Sequence, residues 1–140
     1  MNSRRNFMQT SLLLGVGVVG ASLTGCTSED GEKSKHSLPK GIFYSSDNQG
    51  RWKGKEGSHS PIITVNGNTI TVETKHGMSE VHYIVKHTLL TEGGEVLGET
   101  VFSPKDEKAI STFNLKQIPK YFVATSFCNL HDLWISEYKS

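Results

Sequence analysis

The sequence lacks an excess of charge of either sign and lacks a recognisable helical pattern. Its 15 basic and 14 acidic side chains give a formal net charge of +1, so nothing indicates a nucleic-acid partner. No segment of about ten residues carries apolar side chains at helical spacing, and no internal repeat is present. The longest apolar run, from Leu12 to Leu23, is shorter than the roughly 20 residues that a membrane-spanning helix needs.

That apolar run follows Arg4 and Arg5 and is typical of an export signal. The stretch Ser3–Phe7 resembles a twin-arginine signal, a route that carries folded proteins, often with a cofactor. The run ends in "LTGC", which resembles a lipoprotein processing box with Cys26 as the acylated residue. We expect a signal peptide at residues 1–25 and a lipid anchor on Cys26 that holds the protein at an extracytoplasmic membrane face, in the periplasm or at the cell surface. Plain secretory cleavage with a free Cys26 is the alternative.

The sequence has only two cysteines, Cys26 and Cys128. With Cys26 lipidated, Cys128 has no partner for an intramolecular disulfide. An exported lone thiol is prone to oxidation, so Cys128 is predicted to be buried or coordinated. Residues 26–40 are polar and charged and are expected to form a flexible tether that includes a solvated His36. Residues 41–140 are then one small domain.

From about Gly41 onwards the patterning is that of β-strands. Two β-branched runs flank Asn66-Gly67-Asn68, and two more flank Gly93-Gly94, which are strong hairpin signals. Further runs are "AISTFNL", "KYFVATSFCN" and "LWISEY". The spacing predicts an all-β fold, an immunoglobulin-like antiparallel sandwich of about seven strands.

Six histidines are many for a chain of this size. His76 and His82 would lie about 20 Å apart in one extended strand, so they can meet only if the chain turns between them, as Gly77 and Ser79 permit. Cys128 and His131, three residues apart, would face opposite sides of a strand but meet in a tight turn. Such a pair could hold a metal or form a nucleophile–base couple.

The order of these motifs resembles a known family. "HSP" at 59–61, "HGMSEVHYI" at 76–84 and "CNLHDLW" at 128–134 resemble the iron-binding domain of the desulfoferrodoxin/neelaredoxin family, the superoxide reductases. The resemblance covers roughly residues 41–140. It implies an immunoglobulin-like fold and a mononuclear non-haem iron (Fe2+/Fe3+). The iron would have four equatorial ligands, at His59, His76, His82 and His131, and one axial ligand, at Cys128.

The resemblance also implies a reaction. Superoxide would take one electron and two protons at an open sixth position of the iron and leave as hydrogen peroxide. An external electron donor would re-reduce the iron, and the lack of a second cysteine cluster implies the one-iron form. Four imidazoles and a thiolate suit iron better than a tetrahedral zinc site, and an axial thiolate donates electron density to iron, as in thiolate-ligated haem. A homo-oligomer is a further expectation.

The chain departs from the family pattern before its first histidine. The family usually has glutamate and lysine where this chain has Gly57 and Ser58. Lys55 and Glu56 lie nearby and could take over substrate steering and iron capping, or they are ordinary surface charges. The loss of a lysine near an anionic substrate weakens electrostatic steering.

Three other interpretations remain at this point. The domain could be an iron protein of the same fold that carries electrons or senses redox state without catalysis. It could be a metal-free lipoprotein that binds a partner protein, or a hydrolase that uses Cys128 and a histidine. His87 matches no ligand position and is expected on a strand face. Tyr83 and Trp134 are expected to pack around the site rather than to act as redox partners. Trp52 is expected to pack in the core, with shielding of the site as the alternative.

Overall fold

The computed structural model describes residues 41–140. The expected signal peptide, the lipidation of Cys26, the tether and His36 lie outside the described residues. Within 41–140, a 3₁₀ turn (Gly50–Trp52) and a one-turn helix α1 (Glu56–His59) precede seven strands. The strands are β1 (Ile62–Asn66), β2 (Thr69–Thr74), β3 (Ile84–Leu90), β4 (Val96–Val101), β5 (Ala109–Asn114), β6 (Tyr121–Cys128) and β7 (Asp132–Lys139).

The strands form two antiparallel sheets, which confirms the predicted sandwich. One sheet has the order β1-β2-β5 and the other the order β4-β3-β6-β7. The hairpins β1–β2 and β3–β4 turn where the sequence predicted them. Gly67 and Gly94 have φ values of 57° and 83°, a left-handed backbone that glycine adopts without a steric penalty.

The core lies between the two sheets and follows from the alternation of side chains along the strands. In β2 and β5 every second residue is buried, as expected where one face of a sheet is covered. The main apolar cluster consists of Ile70, Val72, Leu89, Phe113, Phe122 and Ala124. A second cluster, nearer the end of the sandwich, consists of Ile84, Phe102, Ala109 and Cys128.

Residues 41–61 contain no named strand, so the regular β structure begins later than the predicted start at about Gly41. Tyr44 alone pairs with the sheet, in a parallel bridge to β7. Its amide donates to the Leu133 carbonyl at 2.8 Å, and its carbonyl accepts from the Ile135 amide at 2.8 Å. This bridge fixes the segment that leads to α1 along the edge of the larger sheet.

None of the helices within residues 41–140 is long and apolar enough to cross a membrane.

Candidate metal centre

Five side chains with potential ligand atoms converge at one end of the sandwich. One ends α1, two flank the connection between β2 and β3, one ends β6, and one lies in the turn that leads into β7. Their ligand atoms all lie within 4.8 Å of one another. All five predicted ligand positions are therefore together in space: His59, His76, His82, Cys128 and His131.

The chain turns tightly between His76 and His82, as their separation in sequence required. Ser79 and His82 exchange two backbone hydrogen bonds of 3.1 Å, and the Ser79 hydroxyl donates to the His82 carbonyl at 3.0 Å. This closed turn reverses the chain and brings the two rings together, with Nε2 atoms 3.0 Å apart.

A second turn, between β6 and β7, brings Cys128 and His131 together. Cys128 pairs with Asp132 at the end of the hairpin, and Asp132 has a φ of 61°, a left-handed backbone that aspartate tolerates better than most residues. The Cys128 Sγ lies 3.7 Å from His131 Nδ1. Cys128 is only 1 % exposed and belongs to an apolar cluster, so its thiol is shielded from solvent, as predicted.

Short nitrogen–nitrogen contacts link the four imidazoles. His131 Nδ1 lies 2.9 Å from His59 Nε2 and 2.9 Å from His82 Nε2. Two nitrogens bound at right angles to one ion, each at about 2.1 Å, would lie about 3.0 Å apart, whereas tetrahedral angles would require about 3.4 Å. The observed spacing therefore fits an ion with right-angled neighbouring ligands.

The outer nitrogens of two rings indicate where their protons lie. His59 Nδ1 faces the Lys55 carbonyl at 3.0 Å, and His76 Nδ1 faces the Gly77 carbonyl. A carbonyl oxygen can only accept, so both Nδ1 atoms carry the proton, and both Nε2 atoms direct a lone pair into the cluster. A donated outer N–H is the arrangement usual for metal-bound histidine.

Burial favours the neutral form of three of these imidazoles, and a metal-bound imidazole must be neutral. Desolvation, with smaller contributions from the neighbouring imidazoles, lowers the pKa of His59 to about 4. Desolvation also lowers the pKa of His76 and of His131, and the positive charge of Lys55 adds to both shifts. The chemistry of the donor set thus fits a metal cation, with four imidazole nitrogens and one sulfur available.

The two charged residues singled out before the first histidine lie in different surroundings. Lys55 is exposed, and its charge acts on the His76 and His131 rings. The Glu56 carboxylate is half-buried and accepts a hydrogen bond from Gln49 Nε2 at 3.1 Å. Lys55 is therefore the one whose charge reaches the cluster, and Glu56 is held by the loop that precedes it.

Ser58, which stands in place of the family's usual lysine, makes a contact that sequence reasoning missed. Its Oγ lies 2.8 Å from His59 Nδ1 and 3.1 Å from the Lys55 carbonyl. The serine therefore supports the orientation of the His59 ring. Adjacency to His59 in the sequence is the only signal that could have pointed to this contact.

Two tryptophans border the cluster. Trp134 is fully buried, its ring lies 5.8 Å from that of His59, and its Nε1 donates to the His131 carbonyl at 3.0 Å. Trp52 packs its ring edge-on against His131 and donates through Nε1 to Asp132 at 2.9 Å. The expected core packing of Trp52 is wrong, and the alternative, in which Trp52 shields the site, is the one that the structure shows.

The remaining histidine of the described region lies apart from the cluster. His87 is fully buried between the sheets, with Nε2 2.9 Å from Thr74 Oγ1 and Nδ1 2.9 Å from Ser111 Oγ. Thr74 donates onward to Ser126 Oγ at 2.9 Å. The expectation that His87 lies on a strand face is correct, and this face is the inner one.

Comparison with known proteins agrees with the family resemblance of the sequence motifs. The family model described as desulfoferrodoxin matches residues 50–137. A superoxide reductase (neelaredoxin) from Ignicoccus hospitalis is 28 % identical with a TM-score of 0.57, over 70 % of this chain and 94 % of that one. The superoxide reductase from Treponema pallidum is 27 % identical with a TM-score of 0.50, over 59 % and 67 % of the two chains.

A third structure supports the fold alone. The superoxide reductase (1Fe-SOR) from Giardia intestinalis is 24 % identical with a TM-score of 0.54, over 61 % of this chain and all of that one. A search of curated protein sequences finds no match. Since the family model spans more than half of the chain, and since the five potential ligands converge at one end of the sandwich, the chain belongs to the desulfoferrodoxin family.

Proposed function

We propose that this protein is a superoxide reductase with one mononuclear non-haem iron held by His59, His76, His82, Cys128 and His131. The reaction combines one superoxide, one electron and two protons into one hydrogen peroxide. When bound, the iron would supply that electron by cycling between Fe2+ and Fe3+. Five protein donors leave one position of a six-coordinate ion for the substrate.

The observation that carries the proposal is the convergence of four imidazole nitrogens and one thiol within 4.8 Å. Spacings of 2.9–3.0 Å between neighbouring nitrogens favour right-angled coordination over the tetrahedral geometry of structural zinc. A five-donor set with a thiolate also exceeds what a structural zinc site uses. These features argue against a structural zinc site, and family membership supports iron.

The polypeptide would contribute three effects around the metal. The Lys55 and Gly77 carbonyls fix the ring orientation of His59 and His76 by accepting their outer N–H groups. The buried position of Cys128 keeps solvent and oxidants away from its sulfur. The exposed charge of Lys55, close enough to act on His76 and His131, would attract the superoxide anion to the cluster.

The electron would come from a separate donor molecule. Within residues 41–140, Cys128 is the only cysteine, and the five-residue cluster is the only group of metal-ligating side chains. This supports the one-iron form, in which no second centre of the same domain can pass electrons to the first.

A second function is favoured by one specific observation. Gly57 and Ser58 occupy the positions of the family's usual glutamate and lysine, and Ser58 is engaged with His59 rather than directed at a substrate. An iron protein that carries electrons or senses redox state, and reacts slowly with superoxide, would be consistent with that change.

The metal site is tested first, by spectroscopy of the iron-loaded, oxidised protein. We expect a thiolate-to-iron charge-transfer band in the natural chain that disappears in Cys128→Ser. The Cys26→Ser variant is the matched control and should keep the band. A band that persists in Cys128→Ser, or iron that does not bind to the natural chain, would reject the assigned ligand set.

Activity is tested by pulse radiolysis of the reduced, iron-loaded protein beside Ser58→Lys. Fast superoxide-dependent oxidation of the natural chain would establish a reductase that works without the family's usual lysine. Slow oxidation that Ser58→Lys accelerates would favour the electron carrier or sensor. Ser58→Lys also removes the contact of Ser58 Oγ with His59 Nδ1, so the rates are compared only if the charge-transfer bands of the two proteins match.

We also propose the export and anchoring inferred from the sequence. Residues 1–25 would be removed as a twin-arginine lipoprotein signal, Cys26 would carry the lipid, and residues 26–40 would tether the domain at 41–140 to an extracytoplasmic membrane face. Incorporation of labelled palmitate into the natural chain, lost in Cys26→Ser, is the expected result. Unlabelled protein in the soluble fraction would contradict the proposed lipid anchor.

The expected homo-oligomer is a separate question, which sedimentation of the same purified protein would test.

A further inference from the structure

Asn129 joins the two loops that supply three of the five potential ligands. Its side-chain Oδ1 accepts a hydrogen bond from the Tyr83 amide at 3.0 Å, and its Nδ2 donates to the Val81 carbonyl at 3.0 Å. Its own amide donates to the Tyr83 carbonyl at 3.2 Å. Three hydrogen bonds therefore hold the backbone on both sides of His82 against the residue that follows Cys128.

These bonds lie just beyond the point where regular strand pairing ends. The ladder between β3 and β6 finishes at the pair Ile84–Cys128, after an irregularity in register between Ile84 and Lys86. His82 precedes Ile84 and His131 follows Cys128, so neither histidine lies in the paired part of these two strands. The Asn129 hydrogen bonds continue the connection between the two loops beyond the paired strands, as far as the residues that carry the ligands.

We propose that Asn129 is a positioning residue that sets His82 relative to Cys128 and His131 before a metal binds. The inference rests on the proposed metal site, and it concerns how the protein prepares that site. The His82 Nε2 lies 2.9 Å from His131 Nδ1, and each ring belongs to one of the two loops that Asn129 joins. Loops held in place lose less conformational freedom when they bind a ligand.

The chemistry of the side chain explains why an asparagine suits this position. One group must accept from an N–H while its neighbour donates to a C=O, and a primary amide offers both from one short planar group. Alanine offers neither, and a serine hydroxyl is too short to reach two backbone groups of the facing loop. Aspartate would place a second carboxylate oxygen against the Val81 carbonyl.

The experiment measures the Co2+ affinity of the full chain by competition with a chelator, in the natural protein, Asn129→Ala and Asn129→Ser. Loss of residues that orient metal ligands typically lowers metal affinity about 10- to 100-fold, and we expect a loss in that range for Asn129→Ala. Asn129→Ser should show a loss too, and it carries the test if the alanine variant does not fold. The thiolate-to-Co2+ charge-transfer band of each variant reports whether Cys128 still binds in the same geometry.

The matched control is Asn68→Ala. Asn68 also makes a side-chain hydrogen bond to a backbone carbonyl, that of Lys116 at 3.4 Å, but it lies in the β1–β2 turn, away from the cluster. If asparagine contacts matter only for general stability, both alanine variants lower the unfolding temperature of the metal-free chain and neither changes the Co2+ affinity. We expect the affinity and the charge-transfer band to change only at Asn129.

Co2+ affinity of Asn129→Ala within twofold of the natural chain, with an unchanged charge-transfer band, would overturn the inference and leave the metal site intact. Failure of the natural chain to bind Co2+ at all would instead reject the metal site on which the inference rests. The two failures are therefore distinguishable in one series of measurements.

Discussion

Trp52 and His131 are separated by almost eighty residues in the sequence, yet their rings pack edge to face with centroids 4.6 Å apart and planes at 87°. Asp132 holds the indole in place by accepting a hydrogen bond from Nε1. The same carboxylate forms an ion pair with Arg51, whose guanidinium lies 4.9 Å from the centre of the Trp52 ring. One side of the candidate metal site is therefore formed by a segment that precedes every strand.

Because Asp132 accepts a hydrogen bond from Trp52, we expect alanine and asparagine at position 132 to have different effects on the exposure of Trp52. Asp132→Ala removes the acceptor for Nε1 and should expose Trp52, seen as stronger quenching of its fluorescence by acrylamide. Asp132→Asn keeps an acceptor and should leave the quenching near that of the natural chain. Loss of the solvent-screened ion pair with Arg51 should lower the unfolding free energy by no more than about 1 kcal/mol in either variant. Asp132→Ala adds the strain of alanine at a φ of 61°, which asparagine tolerates better. Equal quenching in both variants would contradict this role of Asp132.

The exposed charge of Lys55 leads us to expect a rate of the proposed superoxide reaction that depends on ionic strength. This charge acts on two of the cluster imidazoles, so Lys55→Gln should slow the proposed reaction with superoxide by up to about 10-fold, at or below the low end of electrostatic steering. The difference should shrink as ionic strength rises. Lys53→Gln removes an exposed lysine two residues away and serves as the control. A similar loss in both variants would mean that overall charge, rather than this position, sets the rate.

The buried His87 predicts that stability decreases in mild acid. Burial lowers its pKa to about 4 in the folded chain, whereas the unfolded chain takes up a proton at about 6.5. The folded state is therefore favoured above the unfolded pKa, and this contribution is lost as pH falls from about 6.5 towards 4. At pH 5 the loss is on the order of 2 kcal/mol.

The test compares urea unfolding of the metal-free chain at pH 7.5 and pH 5, for the natural sequence and for His87→Gln. His59, His76 and His131 also have lowered pKa values and contribute to the pH dependence of both proteins. The difference between the two proteins isolates His87, and we expect a smaller pH dependence in the variant. An identical dependence would show that His87 is not kept neutral by burial.

The close packing of β4 on β5 predicts that position 98 has no room for a side chain larger than that of glycine. A Cβ atom at this position would clash with the buried ring of Phe113. Gly98→Ala should therefore lower the unfolding free energy by about 1–3 kcal/mol, the usual cost of overpacking a core. Gly93→Ala is the control, since a Cβ atom there would meet its nearest neighbour at 3.8 Å. Chemical denaturation that shows equal stability for both variants would contradict the packing argument.

The sandwich could be predicted because its signals are local. Asn66-Gly67-Asn68 favours a tight reversal whatever surrounds it, and alternation of apolar residues predicts strands with one buried face. The convergence of the five candidate ligands was predicted by family resemblance, and the turn between His76 and His82 was a geometric necessity if the two rings were to meet.

Other features depend on partners that are distant in the sequence. Nothing near His87 shows that Thr74 and Ser111 would be positioned to satisfy both ring nitrogens, so its burial could not be read from β3 alone. Trp52 reaches His131 from residues 41–61, a segment without a strand or a periodic signal in which Tyr44 alone pairs with β7. The role of Ser58 required knowing that His59 turns its Nδ1 back towards the start of α1.

The bridge between Tyr44 and β7 also affects how this protein can avoid aggregation. β7 is an edge strand, and unprotected edges act as templates on which other chains add strands. Tyr44 occupies outward backbone groups of Leu133 and Ile135, and the far half of the strand carries the exposed pair Glu137 and Lys139, 3.4 Å apart. Backbone pairing at one half and charge at the other therefore leave this edge a poor template for the addition of a strand from another chain.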